Sequence, residues 1–193
     1  MAEPQTRSSI NSLKTIIGKR GLAKVNRFEV DFSGLINIQD EAGPIATQEE
    51  ARHLSTLVTS TTLPGRQLTT FGYGRAGRHQ TEFPTGYVNE ALSMEIALTG
   101  DYFAKKIFDR WLNIVVPKKE YLIAYTRSYK CPIRIKQLSN QDKVIYQCLL
   151  DDCFPKAIRG VAYNSETDDI SAMGVEFAYN DLNFPTDPGP ITP

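Results

Sequence analysis

Histidine occurs only twice in the 193 residues, at His53 and His79, cysteine three times and tryptophan once. The two histidines stand far apart, and neither falls in a Ser/His/Asp or Cys/His pattern, so the parts of a nucleophilic or acid–base site do not come together. No C-x-x-C or H-x-x-x-H spacing exists, and Cys148 and Cys153 lie on opposite strand parities. Asp168-Asp169, following Asn164-Ser165-Glu166, resembles a turn rather than a calcium loop, which would need alternating oxygens and a closing glutamate. The expectation is a chain with no catalytic, metal-binding or cofactor-binding residues and with no enzymatic activity. The odd set Cys131, Cys148 and Cys153 closes no disulfide framework, and buried free thiols are expected. Net charge is zero, 22 basic against 22 acidic residues, so nothing global attracts nucleic acid or an anionic bilayer. No apolar run approaches the roughly 18 residues of a membrane span, and the first residues lack the apolar block of a signal peptide. A cytosolic product with no membrane partner is expected.

What the chain does have is strand patterning. Phe28, Val30 and Phe32 alternate with Glu29 and Asp31; Leu92, Met94, Ile96 and Leu98 alternate with Ser93, Glu95 and Ala97. Ile133 and Ile135 alternate with Arg134 and Lys136, and Met173, Val175, Phe177 and Tyr179 share one parity. A period of two marks sheet with one face toward a core. Lys143 to Leu150 is dense enough for a strand buried on much of both faces, a sharp corner is expected at Cys153-Phe154-Pro155-Lys156, and a separate run follows from Ala157 to Tyr163. Strand character is also expected from His53 to Ser60 and from Arg66 to Tyr73, with Gln80 to Phe83 pairing back before a Pro84-Thr85-Gly86 turn.

Helical spacing occurs twice. Phe103, Ile107, Trp111 and Ile114 recur on one stripe between the capping candidate Asp101 and the terminator Pro117. Ile10, Leu13, Ile16 and Ile17 form a shorter stripe ended by Gly18 and Gly21, and so short a helix needs a docking partner. Residues 33–51 read as a long connection, the kind that usually contacts a partner. The organisation expected is an N-terminal arm with a short helix over 1–27, a β domain over 28–184 and a proline-rich tail over 185–193. The fold class is mainly β, antiparallel, with one flanking α-helix and a short N-terminal helix.

Gly72-Tyr73-Gly74-Arg75-Ala76-Gly77 matches G-x-G-x-x-G, but strand rather than helix follows it and no βαβ pattern surrounds it, so a bulged or closely approached hairpin tip accounts for the glycines better than a nucleotide. Arg66, Arg75, Arg78 and Arg110 make a weak basic stripe without the aromatic platform of a nucleic-acid site. The charges are uneven: Arg7, Lys14, Lys19, Arg20, Lys24 and Arg27 precede Phe28, whereas acids dominate after Leu150. A chain polarised in this way can attract a copy of itself head to tail, provided the ends lie on opposite faces; solvated surface charge is the alternative reading.

Several segments, in order, carry a resemblance: Gly21-Leu-Ala-Lys-Val-Asn-Arg-Phe-Glu-Val30, Ser60-Thr-Thr-Leu-Pro-Gly-Arg66, Ile107-Phe-Asp-Arg-Trp-Leu-Asn113, Asp152-Cys-Phe-Pro-Lys156 and Tyr163-Asn164. From about Gly21 to Phe184 the chain resembles the tail tube proteins of contractile-tailed, T-even-type bacteriophages, related to the haemolysin-coregulated tube protein of type VI secretion. The resemblance implies two antiparallel sheets forming a barrel-like body with a helix alongside. It implies a structural subunit of a virion tail, assembled in the bacterial host cytoplasm, whose homo-hexameric rings stack into a tube that delivers the genome. The implied partners are the sheath protein and the baseplate initiator and tail terminator proteins, with DNA passing through the lumen without specific binding. A baseplate tube-initiator ring of the same fold, a secretion or injection tube, and an enzyme or ligand-binding β-barrel are the alternatives. No cofactor is implied. Arg66, Tyr73, Arg75, Arg78, Lys156, Arg159, Asp168 and Asp169 are the candidate subunit contacts. Lumen-facing side chains are expected to be polar, neutral or acidic, because phosphate contacts with a basic wall would hold DNA in place. The charge reversal Arg78→Glu is expected to impair polymerisation measured by light scattering; unchanged polymerisation would remove the hairpin tip from the contact.

Overall fold

The computed structural model describes residues 10–40, 43–74, 81–117, 122–161, 163, 166 and 169–184. In chain order, helix α1 (Ile10–Arg20) leads to strand β1 (Phe28–Asp31), a 3-10 turn (Ser33–Asn37), the short pair β2 (Gln39–Asp40) and β3 (Gly43–Pro44), helix α2 (Gln48–Leu57) and strand β4 (Val58–Thr61). Next come β5 (Arg66–Tyr73), β6 (Thr81–Asn89), β7 (Leu92–Ala97), helix α3 (Phe103–Val115) and the single turn α4 (Thr126–Tyr129). Strands β8 (Cys131–Leu138), β9 (Val144–Ile158), β10 (Ala172–Ala178) and β11 (Asp181–Asn183) complete the order.

Seven strands form one antiparallel network in the order β1-β8-β9-β10-β7-β4, with β11 added to β9. Strand β9 belongs to both halves. Its first part pairs with β8 and β11, and from Phe154 onward it pairs with β10. The passage between halves is made at Asp152, a left-handed residue with φ 58°, where the β8–β9 register slips between Cys131 and Ile133. A bulge of this kind bends a strand, and aspartate tolerates the left-handed conformation better than most residues. The expected corner at 153–156 therefore lies one residue earlier, and the separate 157–163 strand is instead the end of β9 at Ile158. Pro155 sits opposite Phe177 at a second register shift, where a missing N–H is tolerated.

The alternating residues expected to be inward do fill the core: Val30 and Phe32, Leu92, Met94 and Ile96, Ile133 and Ile135, and Met173, Val175 and Phe177 are buried. Tyr179 falls just past β10, and its hydroxyl donates to the Glu90 carbonyl at 2.5 Å. Helix α3 lays Ile107, Phe108 and Trp111 across this core. Phe32, Phe108, Trp111 and Phe177 form an aromatic cluster, with ring centroids from 5.9 to 6.4 Å apart. Trp111 also donates Nε1–H to the Tyr129 carbonyl at 2.6 Å, satisfying its one polar group and drawing α4 onto α3. Asp101 accepts from the Phe103 N–H at the start of α3.

Four further expectations are corrected. Residues 33–51 are not an unstructured connection, and His53 does not open a strand. Thr47 Oγ1 accepts from the Glu50 N–H while the Glu50 carboxylate accepts from the Thr47 N–H, a capping box that starts α2 and puts His53 on its exposed side. Ala51 and Leu54, three apart on one helix face, bury against the core instead. Pro84-Thr85-Gly86 is not a turn either, for β6 runs through it: Thr69 pairs with Gly86 and Thr70 with Pro84, leaving Thr85 as the extra bulge residue, whose hydroxyl donates to the Thr69 carbonyl. The start of β9 is not buried on both faces, since Val144, Ile145 and Tyr146 are exposed and burial begins at Cys148. At the other end of the chain, Gly21 takes φ 70° and its N–H closes the last turn of α1 on the Ile17 carbonyl. Ile16 of the α1 stripe is 56% exposed.

All three cysteines are buried and free. Burial pushes the Cys148 thiol up from 9.0 to about 11 and the Cys153 thiol to about 12, and holds Cys131 well above 9.0. A folded pKa above the unfolded value means that the folded state keeps its protons longer. The resulting stability is whole below about pH 9 and is lost as pH climbs toward 11 and 12, at about 1.4 kcal/mol per pH unit for each thiol. Urea unfolding over pH 8 to 12 is expected to show this decline, and Cys148→Ala with Cys153→Ala is expected to flatten its slope. An unchanged slope would assign the decline to other groups.

Candidate assembly surface

Among the described residues strands β5 and β6 pair only with each other, as a two-stranded sheet outside the seven-stranded network. Cross-strand partners share a face, and so Gln67, Thr69, Phe71 and Tyr73 lie with Thr81, Phe83 and Val88, and Arg66 and Leu68 lie with Tyr87 and Asn89. Each face carries apolar bulk in water: Phe71 (59% exposed), Tyr73 (70%) and Phe83 (53%) on the first, Leu68 and Tyr87 on the second. An isolated two-stranded hairpin is marginal at best, and contiguous exposed apolar surface marks an interaction site.

The root of this hairpin, by contrast, is firmly held. Arg66 donates Nε–H to Asn89 Oδ1 at 3.1 Å and an Nη2 proton to the Leu182 carbonyl at 3.1 Å, approaches Asp181 at 3.4 Å, and lies 4.3 Å over the Tyr87 ring. Gly65 and Glu90 bond reciprocally through the backbone and through the Glu90 carboxylate, which accepts from the Gly65 N–H at 3.1 Å. A Cβ at residue 65 would come within 2.9 Å of that carboxylate, so glycine keeps the bond open. Burial raises the Tyr179 phenol, leaving its hydroxyl a donor to Glu90.

The two ends of the strand path form a second unpartnered region. Among the described residues β1 pairs only with β8 and β4 only with β7. Two open grooves, both touching Phe28 and Val58, follow this seam. One of about 640 Å³ lies toward α2, with Glu29, Asp31, Ala51 and Arg52 among its lining residues. The other, about 710 Å³, lies between Ala23–Asn26 and β4. Burial works to raise the Asp31 carboxyl in the first groove, but bonds from Ser33 and the nearby Lys136 outweigh it and hold the group below 3.8.

Of the sequence-derived contact candidates, Arg66 is at the hairpin root and Tyr73 at the outer end of β5. Lys156 lines a shallow recess with Asn89, Glu90 and Tyr179, which brings it beside that root, and its ammonium is 3.9 Å from Glu176. Arg159 donates its backbone N–H to the Gly174 carbonyl of β10 just past the end of β9, and Asp169 is exposed in the following connection. Arg75, Arg78 and Asp168, like His79, residues 1–9 and the tail from 185, lie outside the described residues. Among the described residues no group of three or more His, Cys, Asp or Glu is arranged to hold a metal. The seam was missed by sequence reading, because the pairing of β1 and β4 on one side only is a property of topology; the apolar residues Val25 and Leu63 outside the strand cores were its one local signal.

Residues 23–184 match the model of the phage tail tube protein family. The chain is similar in fold to a chain of the sheath–tube complex of the PVC extracellular contractile injection system in its extended state (13% identity over 92% of this chain and 98% of that one, TM-score 0.58). It is similar to a chain of the anti-feeding prophage tube-terminating cap (12% identity, 86% and 92%, TM-score 0.59). It also aligns with Hcp1 from Salmonella typhimurium (7% identity, 79% and 81%, TM-score 0.43). No match is found among curated proteins.

The Arg66→Ala substitution removes a guanidinium that is partly exposed, so a stability cost of at most about 1 kcal/mol is expected. Hydrogen exchange is the sharper readout: amides of β5 and β6 should exchange faster while those of β8 and β9 do not change. Unaltered exchange in the hairpin would mean that Gly65 and Glu90 hold the root without Arg66.

Proposed function

The chain belongs to the phage tail tube protein family, and from that premise we propose that it is the repeating subunit of a tail tube, closing into hexameric rings that stack into a hollow conduit inside a contractile sheath. The family is a structural one and not an enzyme family. The observation that carries the reading is the β5–β6 hairpin, rigid at its root and apolar on both faces. A surface covered on one face calls for one neighbour and suits a dimer. A blade apolar on both faces calls for two, and repeated heterologous contacts generate rings or filaments.

In this reading the tube is a component of the virion tail and is assembled in the bacterial host cytoplasm. Sheath, baseplate initiator and terminator proteins meet its outer wall and its two ends. DNA passes through a lumen whose side chains are polar, neutral or acidic, so that counterion release does not bind it to the wall. Arg66, Tyr73, Arg75, Arg78, Lys156, Arg159, Asp168 and Asp169 are the proposed subunit contacts. Lys156 suits that role, because its side chain is 63% exposed and its internal ion contact is long.

Electron microscopy of the purified protein across a concentration series, with light scattering on the same samples, tests the proposal. Stacked rings or tubes are expected, with a smallest closed species of six 21.6 kDa chains. Protein that stays monomeric at every concentration and does not extend preformed baseplates would overturn it.

A further inference from the structure

The larger seam groove is nearly uncharged. Val25, Phe28, Val58, Leu63, Ile135 and Tyr146 supply its apolar lining, and Lys24 is the one formal charge among the lining residues. Val25 is 93% exposed and Leu63 51%, so the apolar wall stands open to water. The apolar part of this surface is unfinished.

We propose that a second copy of this chain fills the groove between β1 and β4 with the Phe71/Phe83 face of its hairpin. Among the described residues that face holds Gln67, Thr69, Phe71, Tyr73, Thr81, Phe83 and Val88 and no charge, whereas the opposite face carries Arg66 and Glu82. An uncharged apolar face and an apolar groove meet without desolvating an unpaired ion. The hairpin of the same chain does not serve, because Phe71 and Phe83 remain more than half exposed and the root bonds of Arg66 and Glu90 fix the hairpin's direction. Hairpin and groove are different surfaces, so each contact leaves one hairpin and one groove free and growth continues. The inference rests on the polymer reading and adds to it the receptor of the hairpin.

Three single-cysteine variants, combined in two mixtures, test it, since the native thiols are buried. Val25→Cys chains are mixed with Phe83→Cys chains under oxidised glutathione, alongside Val25→Cys mixed with Tyr87→Cys, which places the new thiol on the other hairpin face. The expected result is a disulfide-linked dimer from the first mixture at a yield at least about ten times that of the control. In parallel, Leu63→Glu, a substitution at an exposed site, is expected to abolish polymerisation while circular dichroism stays that of the parent. Equal yields from the two mixtures, or Leu63→Glu chains that polymerise like the parent, would overturn the groove as receptor and leave the tube reading in place. A parent chain that forms no assembly of any kind would overturn both.

Discussion

The bend of β9 at Asp152 is the constraint on which the rest of the molecule depends. A single strand of 15 residues serves as a member of two sheets, so the halves cannot separate without breaking a continuous backbone ladder. The bend turns both apolar faces toward one interior, where Cys148, Leu150 and Cys153 of β9 meet Ile133 and Phe177. Helix α3 then covers the open side with Phe108 and Trp111, and the Trp111 bond to Tyr129 places the connection into β8. The buried thiols belong to the same logic. They pack as small apolar groups at the junction, and their raised pKa values reflect a water-poor interior rather than reactivity.

Joining the sheets through one strand has a topological consequence. Among the described residues the path runs from β1 to β4 and does not close, so these two end strands are paired on one side only. Exposed edges are an association hazard that proteins usually cover. Helix α2, started by the Thr47/Glu50 capping box, packs against β1 and leads straight into β4, which narrows the seam at one end. The arm carrying Val25 borders the other end, held by Gln137 Nε2–H to the Lys24 carbonyl at 2.9 Å and by the 2.7 Å Arg27–Asp142 pair. Part of the basic arm's charge is thus spent inside the chain rather than reserved for a neighbour.

The parts of the fold that sequence made legible were those governed by strict period. The alternation in β1, β7, β8 and β10 placed residues such as Val30, Met94, Ile133 and Val175 on the correct side, and the stripe on α3 placed Ile107 and Trp111, since one face of each element meets water and the other does not. The misreadings lie where local chemistry competes with pattern. At Thr47-Gln48-Glu49-Glu50 the capping signal was present but the following residues also read as strand, and the helix won through its reciprocal cap. At Pro84 a turn-forming residue sits in a strand because a bulge absorbs its missing donor. At Val144 to Tyr146 dense apolar residues suggested burial that only a neighbouring surface would provide. As for the candidate site, the strand character of the Arg66–Tyr73 run and its flanking glycines were legible in the sequence, whereas the root clamp joins Arg66 to Asp181 across 115 residues and has no local signature.

The hairpin itself combines apolar faces with awkward edges, and the two differ in the kind of association each would permit. Pro84 donates no hydrogen bond, Thr85 is bulged, and the register shift between Thr69 and Thr70 twists the pair, so β6 offers a poor edge for indiscriminate strand addition. Its faces, carrying Phe71 against Phe83 on one side and Leu68 against Tyr87 on the other, are the surfaces that gain by leaving water. Association through faces requires a complementary surface of defined shape, whereas association through edges would accept any strand. In the proposed tube, a subunit that adds to a growing end without pairing indiscriminately beforehand needs the first kind of contact and suppresses the second.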